Sequence, residues 1–193
     1  FIDKHLTNIC AKFPSLRIVF EHISTKDAVD FVSNANQKVS ATITPQHILL
    51  NRNDLLVGGI KPHNYCLPIV KRSSHQKAVL NAAISGNSKF FLGTDSAPHL
   101  RSQKESSCGC AGIYSARTAL EFYAQIFDEC NALDKLENFA SKFGADFYGL
   151  PQNKSYITLI KKDYEIPGSI LIENEELIPF YAGETLKWQL SSN

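Results

Sequence analysis

Apolar positions near the start of the chain repeat at the spacing of a helix. Ile2, Leu6, Ile9, Cys10 and Phe13 share one face, and Pro14 stops the run. The period then changes. LRIVFEHIS, from Leu16 to Ser24, is rich in β-branched and aromatic residues and apolar on both faces until Glu21. That is the pattern of a strand covered on both sides, as in a parallel sheet. Thr25 is placed to cap a helix that carries Ala28, Val29 and Val32. The alternation then repeats. KVSATITPQHILL predicts a second strand over Val39 to Thr44, ended by Pro45. The long polar connection NRNDLLVGGIKPHNYCLPIVKRSS leads to a helix from Ser74 to Ser85, closed by Gly86. KFFLGTD predicts a third strand, Phe90 to Thr94. Leu120, Tyr123, Ala124 and Phe127 form a helical stripe, and a further helix from Asn131 points Leu133, Leu136, Ala140 and Phe143 inward and ends at Gly144.

Strands alternating with helices predict an α/β fold built of βα units with right-handed crossovers. The tail reads differently. Tyr156 to Ile160, Ser169 to Ile172 and Thr185 to Leu190 are short β-like runs separated by Pro167-Gly168 and Pro179. The expected organisation is one α/β unit over residues 1–150 with a small strand-rich extension, 151–193, packing on it. No internal repeat, low-complexity tract or flexible linker interrupts the chain.

Composition narrows the function classes. With 193 residues, 44% of them hydrophobic, the chain can bury a core of its own. The 20 basic and 19 acidic side chains leave a net charge of +1, so no basic footprint marks a nucleic-acid or anionic-membrane partner. No apolar run reaches the ~18–20 residues that span a bilayer, and Asp3, Lys4 and His5 rule out a signal-peptide core at the start. The five cysteines are odd in number and lack CxxC spacing, which fits a reducing, cytoplasmic setting. The chain starts at Phe1 and holds no Met; the expectation is a piece of a longer protein.

The residue types suited to chemistry gather where strands end. The first strand finishes in Glu21-His22, the second runs into Pro45-Gln46-His47, and the third ends in Thr94-Asp95, followed by His99. In α/β barrels that end of the sheet carries the active site. Each residue also has a purely structural reading. His22 follows Leu16, Ile18 and Phe20 at period two, so it is either a hydrogen-bonded core histidine or a ligand for a metal such as zinc. Glu21 faces the other way and reads as a structural hydrogen-bonding group; His47 reads as a loop residue. Asp95, behind FFLG, is a costly carboxylate to bury without a cation or several donors, yet Asp-Ser-Ala-Pro is also turn chemistry. His99 is either a surface histidine or an anion-binding one. CGCAG is either tight packing or a place where backbone amides approach a ligand.

VFEHISTKDAVDFV, ATITPQHILLNRNDLLVGGIKPHNYCLPI, FFLGTDSAPHLRSQKESSCGCAG and FYAGET, in that order and across essentially the whole chain, resemble the C-terminal part of bacterial dihydroorotase of the homodimeric, amidohydrolase-superfamily kind. The resemblance implies the last three or so βα units of a (β/α)8 barrel with two zinc ions per subunit. It implies reversible cyclisation of N-carbamoyl-L-aspartate to L-dihydroorotate, a small-molecule substrate, in pyrimidine biosynthesis. By motif, His22 resembles a ligand of one zinc, and Asp95 a ligand of the other and the catalytic proton shuttle. Leu67 of YCLP, His99 and Ala111 resemble substrate-contacting positions, Leu67 and Ala111 largely through backbone.

The family also needs an HxH pair, a bridging carboxylated lysine and another histidine, and this chain contains no HxH. Three strands do not close a barrel of eight, and two ligands do not close a four-ligand zinc site. The expectation is that the chain is inactive alone and that its open parallel edges belong to a larger folded object. Two other readings stand beside this one. A related cyclic-amide hydrolase of the hydantoinase or allantoinase kind fits the loop at GTDSAPH and CGCAG less well. A non-catalytic scaffold of the same fold is the second.

Overall fold

The computed structural model describes residues 1–191. A π-type turn (Ile2–Leu6) runs into helix α1 (Thr7–Lys12), and strand β1 (Ile18–Phe20) follows. Next come α2 (Lys26–Asn34), β2 (Val39–Ile43), the short helices α3 (Pro45–Leu49) and α4 (Arg52–Leu56), α5 (Ser73–Ala83) and β3 (Phe90–Leu92). The three strands form one parallel sheet in chain order, with Ile18 opposite Val39, Phe20 opposite Ala41, Ala41 opposite Phe90 and Ile43 opposite Leu92. This is the α/β arrangement that the alternating periods predict. Every residue of β2 is buried, as expected of a middle strand with helices on both faces.

Local chemistry sets the boundaries. The Thr25 hydroxyl accepts from the Ala28 N–H at 3.1 Å and caps α2 as expected. Thr44 caps α3, and Asn51 caps α4 with a reciprocal Asp54 bond. Helix α7 (Ala119–Glu129) turns Phe122, Tyr123, Ala124, Ile126 and Phe127 inward, and the Tyr123 hydroxyl donates to the carbonyl of Ile43 at 2.6 Å. That bond ties α7 to the last residue of β2. The core beneath the sheet ends is made by Ile23, Val32, Val39, Ile43, Val79, Phe90, Tyr123, Phe127 and Phe139.

One helix end differs from its expected place. The chain does not leave the helix at Gly144 but continues through α8 (Phe143–Tyr148) and stops at Gly149, which takes φ 69°. Gly144 serves packing instead. A Cβ there would come within 3.3 Å of the Phe91 ring, so the missing side chain lets the helix lie close against β3.

The tail is antiparallel, with β4 (Leu159–Glu165) pairing β7 (Thr185–Leu190) and β5 (Ile170–Ile172) pairing β6 (Glu175–Leu177). The first strand of the tail starts three residues later than its apolar run, and β6 has no apolar signal of its own because Glu175 and Glu176 open it. Ile166, Phe180 and Leu186 share a second core with Leu50, Leu55, Cys66, Val70, Ile113 and Phe122. Trp188 Nε1 also donates to Asp128 Oδ2 of α7 at 3.2 Å. Among the described residues no helix is long and apolar enough to cross a membrane, and the five cysteines are unpaired.

Candidate active site at the strand ends

Three strands deliver three different groups to one end of the sheet. The chain turns sharply after β1 at Glu21-His22, and His22 sits at φ 40°. It turns as sharply after β3, where Asp95 sits at φ 43°. Both are side chains in the left-handed region, which residues other than Gly rarely occupy and which surrounding structure must hold. The middle strand does the holding. Thr42 Oγ1 accepts from the His22 N–H at 2.6 Å and donates to Glu21 Oε2 at 2.7 Å. The Ile23 N–H adds a bond to the Thr42 carbonyl at 3.1 Å. On the other side Gly93 lies against the same threonine, where a Cβ would come within 2.6 Å of Thr42 Cβ. Gln46, fully buried, donates from Nε2 to the carbonyls of Thr94 at 3.0 Å and Asp95 at 3.4 Å. Glu21 thus has the structural hydrogen-bonding role expected of it.

His22 and Asp95 come together electrostatically. Burial pushes the Asp95 carboxyl above its usual range, the nearby His22 pulls it back, and Glu21 pushes it up again. Asp95 is nevertheless exposed, which, of the two readings of this stretch, fits the turn residue better than the carboxylate buried behind FFLG. His22 is more enclosed: its Nδ1 is buried with no hydrogen-bond partner.

His47 corrects another expectation. It lies in α3, only 3% exposed, with Nδ1 2.7 Å from the Thr44 hydroxyl and Nε2 2.7 Å from the Pro68 carbonyl. The carbonyl can only accept, so Nε2 carries the proton and Nδ1 accepts from Thr44. Burial holds this imidazole neutral, with a pKa lowered to about 4. His47 is a strut that fixes the Leu67-Pro68 peptide from behind, while the Leu67 side chain itself is exposed.

The loop after Asp95 folds back as a second layer. Ser96 bridges to Ile113, and the Ala97 N–H donates to the Ile113 carbonyl at 3.0 Å. His99 Nε2 meets the Ala111 carbonyl at 3.1 Å. The Gly112 N–H donates to the Tyr65 carbonyl at 2.9 Å, joining CGCAG to the segment that leads into Leu67. Gly112 has φ 153°, and a Cβ on it would stand 2.5 Å from the Ala97 carbonyl, so no other residue fits. Leu67, His99 and Ala111 are therefore gathered on one linked pair of loops.

The dihydroorotase of Shewanella pealeana is 60% identical over 193 residues, covering 100% of this chain and 56% of that protein. Over its whole length the chain is similar to about half of a dihydroorotase. The dihydroorotase of Marinomonas sp. is 61% identical over 191 residues, with 98% of this chain and 56% of that protein covered. A crystal structure of dihydroorotase from Saccharomyces cerevisiae in complex with 5-fluoroorotic acid superposes with a TM-score of 0.88 at 34% identity, over 96% of this chain and 54% of that one. Dihydroorotase from Campylobacter jejuni gives 0.88 at 33% identity, over 97% and 55%. L-Hydantoinase from Arthrobacter aurescens shares the fold, with a TM-score of 0.79 at 17% identity. No protein-family model matches the chain. The chain spans about half the length of the dihydroorotases it matches, in keeping with a partial (β/α)8 barrel.

The donor set suits part of a metal centre. A buried imidazole nitrogen without a partner after β1 and a carboxylate after β3, at the same end of the sheet, are nitrogen and oxygen donors of the kind zinc takes. Among the described residues no group of three or more His, Cys, Asp or Glu side chains could hold a metal ion, so further ligands would come from outside these residues. Thr42, Gln46 and a buried Lys104 were not legible as site residues. Thr42 and Gln46 did carry a signal, being polar residues in and just after a strand with no exposed face.

Proposed function

We propose that this chain supplies the C-terminal wall of a dihydroorotase active site that interconverts N-carbamoyl-L-aspartate and L-dihydroorotate. The observation that carries this reading is the orphaned, buried His22 Nδ1 within electrostatic reach of Asp95, both on left-handed turns after the two strands that flank β2. His22 and Asp95 would hold one zinc ion each. When bound, zinc supplies Lewis acidity at the reacting amide carbonyl.

The chain's own residues do the rest. Asp95 Oδ accepts a proton on the hydrolytic path and returns it to the amide nitrogen, and it runs the same transfers backwards during ring closure. Its exposure in this chain leaves the carboxylate open to substrate. His99 and the backbone of Ala111 and Leu67 present hydrogen-bonding groups to the substrate carboxylate and ring. His47 and Thr42 touch no substrate; they keep those groups in place. The kinship also supports a homodimer in a cytoplasmic setting and a tail, 151–193, that packs on the barrel wall as an extension.

The test expresses the full reading frame that encodes this chain and, separately, residues 1–193. Turnover of L-dihydroorotate and of hydantoin is assayed together with zinc content. The expected result is zinc-dependent turnover of dihydroorotate, in preference to hydantoin, by the full product only. Preference for hydantoin would point to the hydantoinase reading, and no turnover by the full product to the scaffold reading. Stoichiometric zinc and turnover in residues 1–193 alone would overturn the incomplete-site part.

A further inference from the structure

Lys104 ends helix α6 (Arg101–Lys104), in a stretch whose neighbours Arg101, Ser102, Gln103 and Glu105 are all exposed. It points the other way and is only 3% exposed. Among the described residues no carboxylate pairs with it. Its ammonium instead donates to three backbone carbonyls: Tyr65 at 2.8 Å, Cys110 at 2.8 Å and Gly112 at 2.6 Å. That uses all three of its protons, as a buried cation must do to offset its lost hydration. The Tyr65 ring centroid lies 5.8 Å from Nζ.

The pattern of acceptors matters more than their number. Cys110 and Gly112 send their carbonyls to Lys104, whereas the Ala111 carbonyl between them meets His99 Nε2. Alternate residues of an extended segment point to opposite sides. The CGCAG segment is thus held from behind by Lys104 and from the front by His99, with the peptide of Ala111 turned to the front. Among the described residues the Ala111 N–H donates to no protein acceptor, whereas the Cys110 and Gly112 N–H groups donate to Gln103 and Tyr65. The Tyr65 carbonyl, which takes both Lys104 and Gly112, belongs to the segment that continues into Leu67.

We propose that Lys104 is a positioning residue for substrate binding. Its ammonium locks the two loops that present Leu67 and Ala111 into one surface and fixes the free Ala111 N–H toward the substrate. The inference rests on the dihydroorotase reading for what is bound, but the lock itself is a property of this chain. The side chain acts on both bound states alike, so its loss weakens binding more than turnover.

The test is Lys104→Met in the full-length protein, with Lys104→Gln as a milder second variant that keeps donors without the charge. Losing three hydrogen bonds from a charged donor should raise KM for L-dihydroorotate about ten-fold or more, with kcat within about two-fold. Lys104→Gln should fall between Lys104→Met and wild type. Amide exchange of Cys110 and Gly112 should quicken about ten-fold or more in Lys104→Met, while that of the β2 amides stays unchanged. In the wild type, Cys110 and Gly112 should exchange slowly and Ala111 faster, a pattern that survives as a test if the variants do not fold. Unchanged KM and exchange in Lys104→Met, or rapid exchange at all three wild-type amides, would overturn the inference. Absence of dihydroorotate turnover in the wild type would overturn the functional reading instead and leave the exchange result to judge the lock.

Discussion

Thr42 Oγ1 lies 2.6 Å from the backbone nitrogen of His22 and 2.7 Å from Glu21 Oε2. One hydroxyl on the middle strand therefore holds the turn that carries His22, and it does so with both its donor and its acceptor capacity. Thr42→Val keeps the shape and removes the hydroxyl, leaving the His22 N–H and a Glu21 oxygen without that partner. The expected loss is about 1–3 kcal/mol of stability, measured by urea unfolding. In the full-length protein the accompanying shift of His22 should lower kcat roughly ten- to hundred-fold. Thr42→Ser restores the hydroxyl and should recover most of both. A Thr42→Val protein with wild-type turnover would mean that the turn holds without it.

Gly93 meets the same threonine from the β3 side. The 2.6 Å approach of a notional Cβ to Thr42 Cβ is closer than side-chain carbons come, and β2 is fully buried around it. Gly93→Ala should cost about 1–3 kcal/mol by overpacking and move Asp95, which follows two residues later. Thermal unfolding checks the first effect. Zinc content of the full-length protein checks the second, with a lower metal load as the expected result.

The acid limb of stability should carry the signature of His47. Its folded pKa, about 4, lies below the ordinary 6.5 because burial disfavours the charged ring. Between those values the unfolded chain binds a proton that the folded chain does not, so stability falls as pH drops through that window and is fully present above it. A shift of this size corresponds to roughly 3 kcal/mol. Urea unfolding from pH 7.5 to 4.5 should show the slope, and His47→Gln should flatten it while lowering stability at pH 7. An equal slope in the variant would assign it to other groups.

Periodicity made much of this fold legible, and its failures have physical reasons. β2 was readable because all five of its residues are buried and apolar or small, and Thr25 because a capping hydroxyl acts on its own neighbours. Local signals of that kind need no knowledge of the rest of the chain. His47 and Lys104 could not be placed in the same way. Lys104 sits in a polar stretch and His47 just past a proline, and each side chain is held by backbone carbonyls of other segments, Pro68 for one and Tyr65 with Cys110 and Gly112 for the other. Gly144 misled for a related reason: a glycine that ends helices elsewhere here makes room for Phe91. Asp95 was placed on the right strand end with its depth left open; it is exposed on a turn at φ 43°, and no hydrophobic pattern encodes that angle.

Asp95 itself gives the sharpest test of the chemistry. Asparagine preserves its size and one oxygen, and the residue is exposed, so folding should change little. What it removes is a group able to take up and return a proton, together with the charged oxygen that would hold zinc. In the full-length protein Asp95→Asn should lower kcat by about 10²–10⁴-fold, the range of a lost general acid–base. KM should move far less, because His99 and the loop backbone still meet the substrate. Far-ultraviolet circular dichroism and the melting temperature should match the wild type, separating a chemical defect from a folded-state one. If Asp95→Asn retains more than about a tenth of the wild-type kcat, the proton is carried by some other group, and the pairing of His22 with Asp95 at these strand ends serves structure alone.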